Sequence, residues 1–218
     1  MLKLENVCYR YKNSNVDVLK SLNVEFEAGK LNAILGPSGS GKTTMLSIMA
    51  GLDKPTFGDV FIDGDALSQM DLDQYRRERI AMIFQAFQLF PLLTAIENVC
   101  YPMEVKGAGK NKVAERTRKL LESVGITADK HNRYPSNLSG GEQQRVAIAR
   151  ALSTGAKVIL ADEPTGNLDA ANGEMVISIL KSLAHTHGYC VIVVTHNMDV
   201  AEVSDVVYRM SDGNIRGE

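Results

Sequence analysis

The chain has 218 residues, 44% of them hydrophobic and 23% charged, with a formal net charge of −2; this is ordinary for a soluble globular protein able to bury a sizeable core. At a sequence pI of about 6.1 it has no global basic field to gather nucleic acid or acidic lipid, so any anion it binds must be held by a local site. The three cysteines, Cys8, Cys100 and Cys190, are widely separated and show neither metal spacing nor a disulfide framework, which fits a reducing cytosol.

The opening run MLKLENVCYRYK is interrupted by charges and leads into no apolar core, so it is not read as a signal peptide. No apolar run approaches a membrane span. A cytoplasmic protein, peripheral on the membrane and reaching it only through a partner, is the expectation.

The first predicted strands are Leu2–Cys8, Asn23–Glu27 and Leu31–Leu35. The last is a continuous apolar run, as in a strand buried on both faces. Directly after it comes GPSGSGKTT: Gly36, Pro37, Ser38, Gly39, Ser40, Gly41, Lys42, Thr43 and Thr44. This matches G-x-x-x-x-G-K-[ST], and the helix pattern Lys42–Ala50 follows, giving the strand–loop–helix context that the motif requires. Its glycines let consecutive N–H groups turn inward to phosphate oxygens. Lys42 is placed for the β- and γ-phosphates and the Thr43 hydroxyl for Mg²⁺, so the run predicts a nucleoside-triphosphate site.

Strands are next predicted at Asp59–Ile62 and Ile80–Phe84. Gln85 ends the latter, where a neutral oxygen could reach Mg²⁺ or water. Between Phe84 and Lys157 the strand pattern vanishes, and helices are predicted at Val113–Val124 and Glu142–Ser153. A single domain over 1–218 is expected, its α/β core interrupted by a helical subdomain at about 86–155. That segment contains the basic run 106–119, read as a solvated loop and outer helix face. It also contains LSGGE (138–142), where Ser139, Gly140 and Gly141 precede a helix as in a phosphate site.

KVILA (157–161) is another buried strand, ending at Asp162 and Glu163. The first acid suits a Mg²⁺ shell and the second a general base that polarises water toward a γ-phosphate. Solvation and helix capping explain such acids equally well when taken alone; the phosphate loop tips the balance. A helix over Gly173–Thr186 leads to the strand Cys190–Thr195 and then His196, at the sheet edge where ligands bind in parallel sheets. A lone strand-end histidine is otherwise more often structural. The last predicted strand is Val206–Met210.

With these pieces in order the sequence resembles the ATP-binding cassette family of transporter ATPases, nearly end to end, and LSGGE is that family's signature. The resemblance implies a mainly parallel sheet flanked by helices, an antiparallel N-terminal β portion, ATP and Mg²⁺ as ligands, and hydrolysis to ADP and phosphate. It implies that Tyr11 stacks on adenine, a choice that Tyr9 and Tyr11 on one strand face leave open. It further implies that Gln85 senses Mg²⁺ and the transporter, and that Asp162 and Glu163 are the metal-associated and catalytic acids. Asp169 would pass signals between subunits, and His196 would be the switch histidine. Ser139 to Glu142 would complete the nucleotide site of a second copy in a head-to-tail, ATP-dependent homodimer.

The runs GLDKPTFGDVFIDG, FQLFPLLTAIENV and ADEPTGNLD are most similar to cassettes of the macrolide-export and lipoprotein-release type, including a related cell-division cassette. Asn137 and Glu142 depart from residues common there without removing a phosphate contact. Phe87, Leu89, Phe90, Leu92 and Leu93 are expected to share core packing with a groove for a transmembrane permease. A regulatory cell-division role is the alternative to transport. DNA-maintenance and ribosomal cassettes do not fit, because no sustained heptads and no second cassette are present.

Overall fold

A computed structural model describes residues 1–12 and 14–217. In chain order the elements are β1 (Leu2–Tyr9), β2 (Leu19–Phe26), β3 (Leu31–Leu35), α1 (Lys42–Met49), β4 (Phe57–Ile62), β5 (Asp65–Ala66), α2 (Leu72–Glu78) and β6 (Ile80–Ile83). Then come α3 (Ala95–Val105), α4 (Lys110–Ser123), α5 (Gly140–Ser153), β7 (Val158–Asp162), α6 (Ala170–His187), β8 (Cys190–Thr195), α7 (Met198–Glu202), β9 (Val206–Ser211) and β10 (Asn214–Gly217). They fall into two compact units. One comprises Met1–Met82, Lys157–Glu163 and Leu180–Glu218, the other Ile83–Ala156 and Pro164–Ile179.

In the first unit a six-stranded sheet runs β10-β9-β3-β8-β7-β6. Strands β9, β3, β8 and β7 are parallel, and β10 turns back antiparallel on β9. Every residue of β3 and β8 is buried, which is why LNAIL and CVIVVT show no alternation: both faces are covered. A second sheet, β2-β1-β4-β5, is antiparallel throughout. Its apolar face joins Leu2, Leu4, Phe26 and Ile62 to Ile34, Met45, Leu160 and Ile192 in one core. Each such side chain contributes about 1.5–3 kcal/mol on burial.

Strand β2 starts four residues earlier than its sequence pattern suggests. Register shifts against β1, with Asn6 and Ser21 both at φ 50°, break the alternation on which the reading relied. The hairpin strands β5 and β10 and helices α2, α3 and α7 also lie outside the predicted elements.

The second unit contains α3, α4 and α5 packed on one another. A capping box opens α3, the Thr94 side chain accepting from the Glu97 N–H and Glu97 bonding back to the Thr94 backbone. T-A-I-E is legible as such a box, but Pro102 inside the helix argues against helix in the sequence. Helix α5 begins at Gly140, two residues before its predicted start, because Ser139 is the N-cap. Helix α6 leaves the second unit after Ile179 and ends in the first.

Candidate nucleotide-binding site

The loop between β3 and α1 is shaped by its neighbours. A Cβ on Gly36 would lie 2.2 Å from the Met210 carbonyl oxygen, so only glycine lets the chain leave β3 there. Gly41 caps α1 at φ 104°, a backbone that costs an L side chain roughly 1–2 kcal/mol. Lys42 is 8% exposed. Its ammonium donates to the carbonyls of Gly36 at 2.7 Å and Pro37 at 3.0 Å, both uncharged. A nearly buried cation bonded only to neutral carbonyls is a ready acceptor of phosphate charge.

Ser38, Gly39 and Gly41 to Thr44 line a cavity of about 720 Å³ together with Tyr11, Asp162, Glu163 and His196. Gly36, Pro37 and Ser40 do not line it. The first two turn their carbonyls to Lys42, and Ser40 is buried at 4% exposure behind the loop. Tyr11 donates to or accepts from the Thr44 hydroxyl at 3.0 Å, and its ring meets Tyr9 edge to face at 5.0 Å. Half exposed, it leaves a ring at the cavity mouth.

Asp162 ends β7 half-buried. Burial and the neighbouring Glu163 charge push its carboxyl up, while Lys42 and a hydrogen bond with Thr43 oppose the rise. Glu163 sits at φ 46°, a left-handed conformation that a non-glycine residue keeps only when its surroundings impose it. The constraints are visible. Its N–H donates to the Val194 carbonyl at 2.9 Å, Thr195 Oγ1 donates to Oε2 at 3.1 Å, and His196 Nδ1 meets Oε1 at 2.8 Å. The carboxylate is 16% exposed and the histidine 70%. Glu163 is thus aimed into the cavity with a lone pair on each oxygen still able to take a proton.

Thr43 and Asp162 line the same cavity. No cluster of three metal-ligating side chains exists among the described residues. That donor set fits Mg²⁺, which keeps waters and is held by one or two protein groups with substrate phosphates.

In the second unit Gln85 lies in an exposed loop beyond β6, not at the strand's end. It exchanges hydrogen bonds with Asn167: Asn167 Nδ2 to the Gln85 carbonyl at 3.0 Å, and Gln85 Nε2 to Asn167 Oδ1 at 3.4 Å. Arg150, the last residue of LSGGEQQRVAIAR, holds the next turn by donating to the carbonyls of Phe87 and Gln88.

At the start of α5 the Ser139 hydroxyl accepts from the Glu142 N–H at 3.3 Å, and the Ser139 N–H donates to Glu142 Oε2 at 2.8 Å. Lys130 takes the other carboxylate oxygen at 2.6 Å, and with these bonds it lowers the Glu142 pKa. Glu142 is therefore a cap. Its carboxylate is already engaged, and the groups at this turn left without helical partners are the N–H groups of Gly140 and Gly141, which have no carbonyl four residues earlier in the helix. Asp169 stands at the start of α6 and accepts the Asn172 N–H at 2.9 Å and its Nδ2 at 2.8 Å, which together lower its pKa. Sequence reasoning passed over Thr195, Asn167, Arg150 and Asn172; polar residues beside motifs carry no pattern of their own.

A phosphate loop leaving the C-terminal end of a central parallel strand, and sharing its cavity with the two acids at the end of β7, defines a nucleoside triphosphatase. The family model described as ABC transporter matches residues 19–166. The chain is 43% identical to the uncharacterized ABC transporter ATP-binding protein MJ0796 of Methanocaldococcus jannaschii, covering 100% of this chain and 96% of that one. It is 42% identical to the macrolide export ATP-binding/permease protein MacB of Vibrio parahaemolyticus, over 99% of this chain and 33% of that protein. A dimeric post-hydrolysis structure of MJ0796 bound to ADP and Pi superposes with a TM-score of 0.91 at 41% identity, covering 100% and 98% of the two chains. The chain belongs to the ABC transporter family, and it is an ATP-binding cassette subunit that hydrolyses ATP.

Proposed function

We propose that two copies of this chain close head to tail on two ATP molecules, and that closure and hydrolysis drive a membrane permease. The observation that carries the dimer is the signature turn. It offers one hydroxyl and two backbone N–H groups to an anion, while its acid, Glu142, and the neighbouring Lys130 are paired with each other and with the helix cap and leave no group to hold and cleave a nucleotide. With two-fold symmetry, Ser139, Gly140 and Gly141 of one copy complete the γ-phosphate site at the other copy's Lys42. The dimeric MJ0796 structures support this reading.

Tyr11 stacks on adenine, and the run from Gly36 to Thr44 cradles the phosphates. Thr43 and Asp162, which line the same cavity, would hold Mg²⁺, and the ion would neutralise charge on the phosphates. Glu163 takes the proton of the attacking water. His196 steadies Glu163 and reaches the γ-phosphate, and Asp169 links the two copies. Residues 1–218 act as one cassette domain, with about 86–155 as its helical subdomain.

No helix of the described residues is long and apolar enough to cross a membrane. In this reading a permease holds the chain at the cytoplasmic face. Phe90, Leu92 and Tyr101 are exposed large apolar side chains and form the candidate docking surface. The name of the MacB relative joins ATP-binding and permease in one protein, which supports the same division of labour here. Glu163→Gln should bind ATP, barely turn over and elute as a dimer with ATP and Mg²⁺ on gel filtration; a monomer under those conditions contradicts the shared site.

A further inference from the structure

The signature turn and the Asp169 turn are joined by a side chain that neither motif includes. Asn172 gives its backbone N–H and its Nδ2 to the two oxygens of Asp169, at 2.9 and 2.8 Å. Its remaining polar atom, Oδ1, accepts from Arg145 at 3.1 Å. Arg145 rises from the second turn of α5 and is 7% exposed; its Nε has no partner among the described residues. A nearly buried guanidinium with few partners holds tightly to the acceptor it has.

The amide also fills a notch in α5 itself. A Cβ on Gly141 would stand 2.0 Å from Asn172 Oδ1 and 2.3 Å from its Cγ. The same test on Gly140 finds nothing nearer than 3.6 Å. Of the two signature glycines, then, Gly141 is required by its own chain, to admit Asn172.

We infer that Asn172 is a positioning residue, locking the Asp169 turn to the first turns of α5 so that the two move as one piece when a second copy docks. Both ends are polar and directional, and the amide's donor and acceptor sides each have one partner. A shift of Asp169 is therefore passed to Arg145 and Gly141 instead of being absorbed. The inference rests on the reading that the signature turn completes the partner copy's nucleotide site.

Two substitutions separate positioning from mere support. Asn172→Ala removes both side-chain arms, keeping only the backbone N–H on Asp169, and strips Arg145 of its acceptor. Asn172→Asp keeps the shape and gives Arg145 a charged acceptor, but sets a carboxylate against Asp169, so only that arm is broken. In full-length Glu163→Gln protein, ATP with Mg²⁺ is titrated and dimer is read by sedimentation; kcat is read in the Glu163 background. Both variants should need about tenfold more ATP to dimerise and lose about tenfold in kcat. A fluorescent ATP analogue should bind the dilute monomer as in the parent, and Asn172→Asp should melt at the parent temperature. Unchanged dimerisation and kcat overturn the inference. So does a loss in which dimerisation, monomer binding and melting temperature fall together, which is simple destabilisation. If the Glu163→Gln parent fails to dimerise, the signature reading itself falls, and the coupling with it.

Discussion

The phosphate loop and the signature turn use nearly the same residues to opposite ends. Both put serine and glycine before a helix, and both offer backbone N–H groups to an anion. The loop at 36–44 bends through Gly39 and Gly41 at positive φ, encloses a lysine and faces two acids across a cavity. The turn at 139–141 has an extended N-cap at φ −64° and ψ 161°, a capping box closed by its own Glu142, and no catalytic group. On the proposed reading, the first arrangement holds a triphosphate and the second only touches one that is already held. Glycine serves conformation at Gly39 and Gly41, gives room for the Met210 carbonyl at Gly36, and gives room for Asn172 at Gly141.

Substitutions at matched positions should bring out this contrast. The largest effect is expected at Glu163, where Gln keeps the hydrogen bonds of shape but cannot take a proton; turnover should fall by roughly 10²–10⁴-fold in a phosphate-release assay, with ATP affinity kept. Lys42→Ala should weaken triphosphate binding by about a hundredfold, the worth of charged hydrogen bonds of ~1.5–3 kcal/mol, as calorimetry can measure. Gly36→Ala forces a Cβ onto the Met210 carbonyl and should cost about 1–3 kcal/mol of stability by denaturant melts. Gly140→Ala, whose Cβ would meet only ordinary van der Waals contacts at 3.6 Å and beyond, should leave stability within about 1 kcal/mol while weakening ATP-driven association. Ser139→Ala removes a helix cap and should cost about 1 kcal/mol of stability in the same melts. If Gly140→Ala proved as destabilising as Gly36→Ala, the distinction between a glycine crowded by its own chain and one with room for a side chain would be lost.

Much of this was legible before the structure. The phosphate loop, the acids after KVILA and the histidine after CVIVVT all end apolar runs that are buried on both faces, and such runs are strands in only one sensible arrangement. The N-terminal antiparallel sheet was blurred because β1 and β2 change register, so alternation fails where the pairing continues. Helix α3 was hidden by Pro102 despite its capping box. Glu142 read as a phosphate neighbour by position; its engagement with Ser139 and Lys130 depends on a residue twelve positions earlier that no local pattern joins to it. Asn172 was invisible for the same reason, since its meaning lies in the notch at Gly141, thirty-one residues away along the chain.

The central claim, that each nucleotide site is built from two copies, can be tested by mixing two crippled chains. One carries Lys42→Ala and keeps its signature turn; the other carries Ser139→Glu and keeps its phosphate loop. In a mixed dimer one of the two sites receives an intact loop from one chain and an intact turn from the other. The account predicts that the mixture regains ATP hydrolysis well above the sum of the separate proteins. Activity no greater than that sum, with both proteins folded and mixed dimers present, would contradict it.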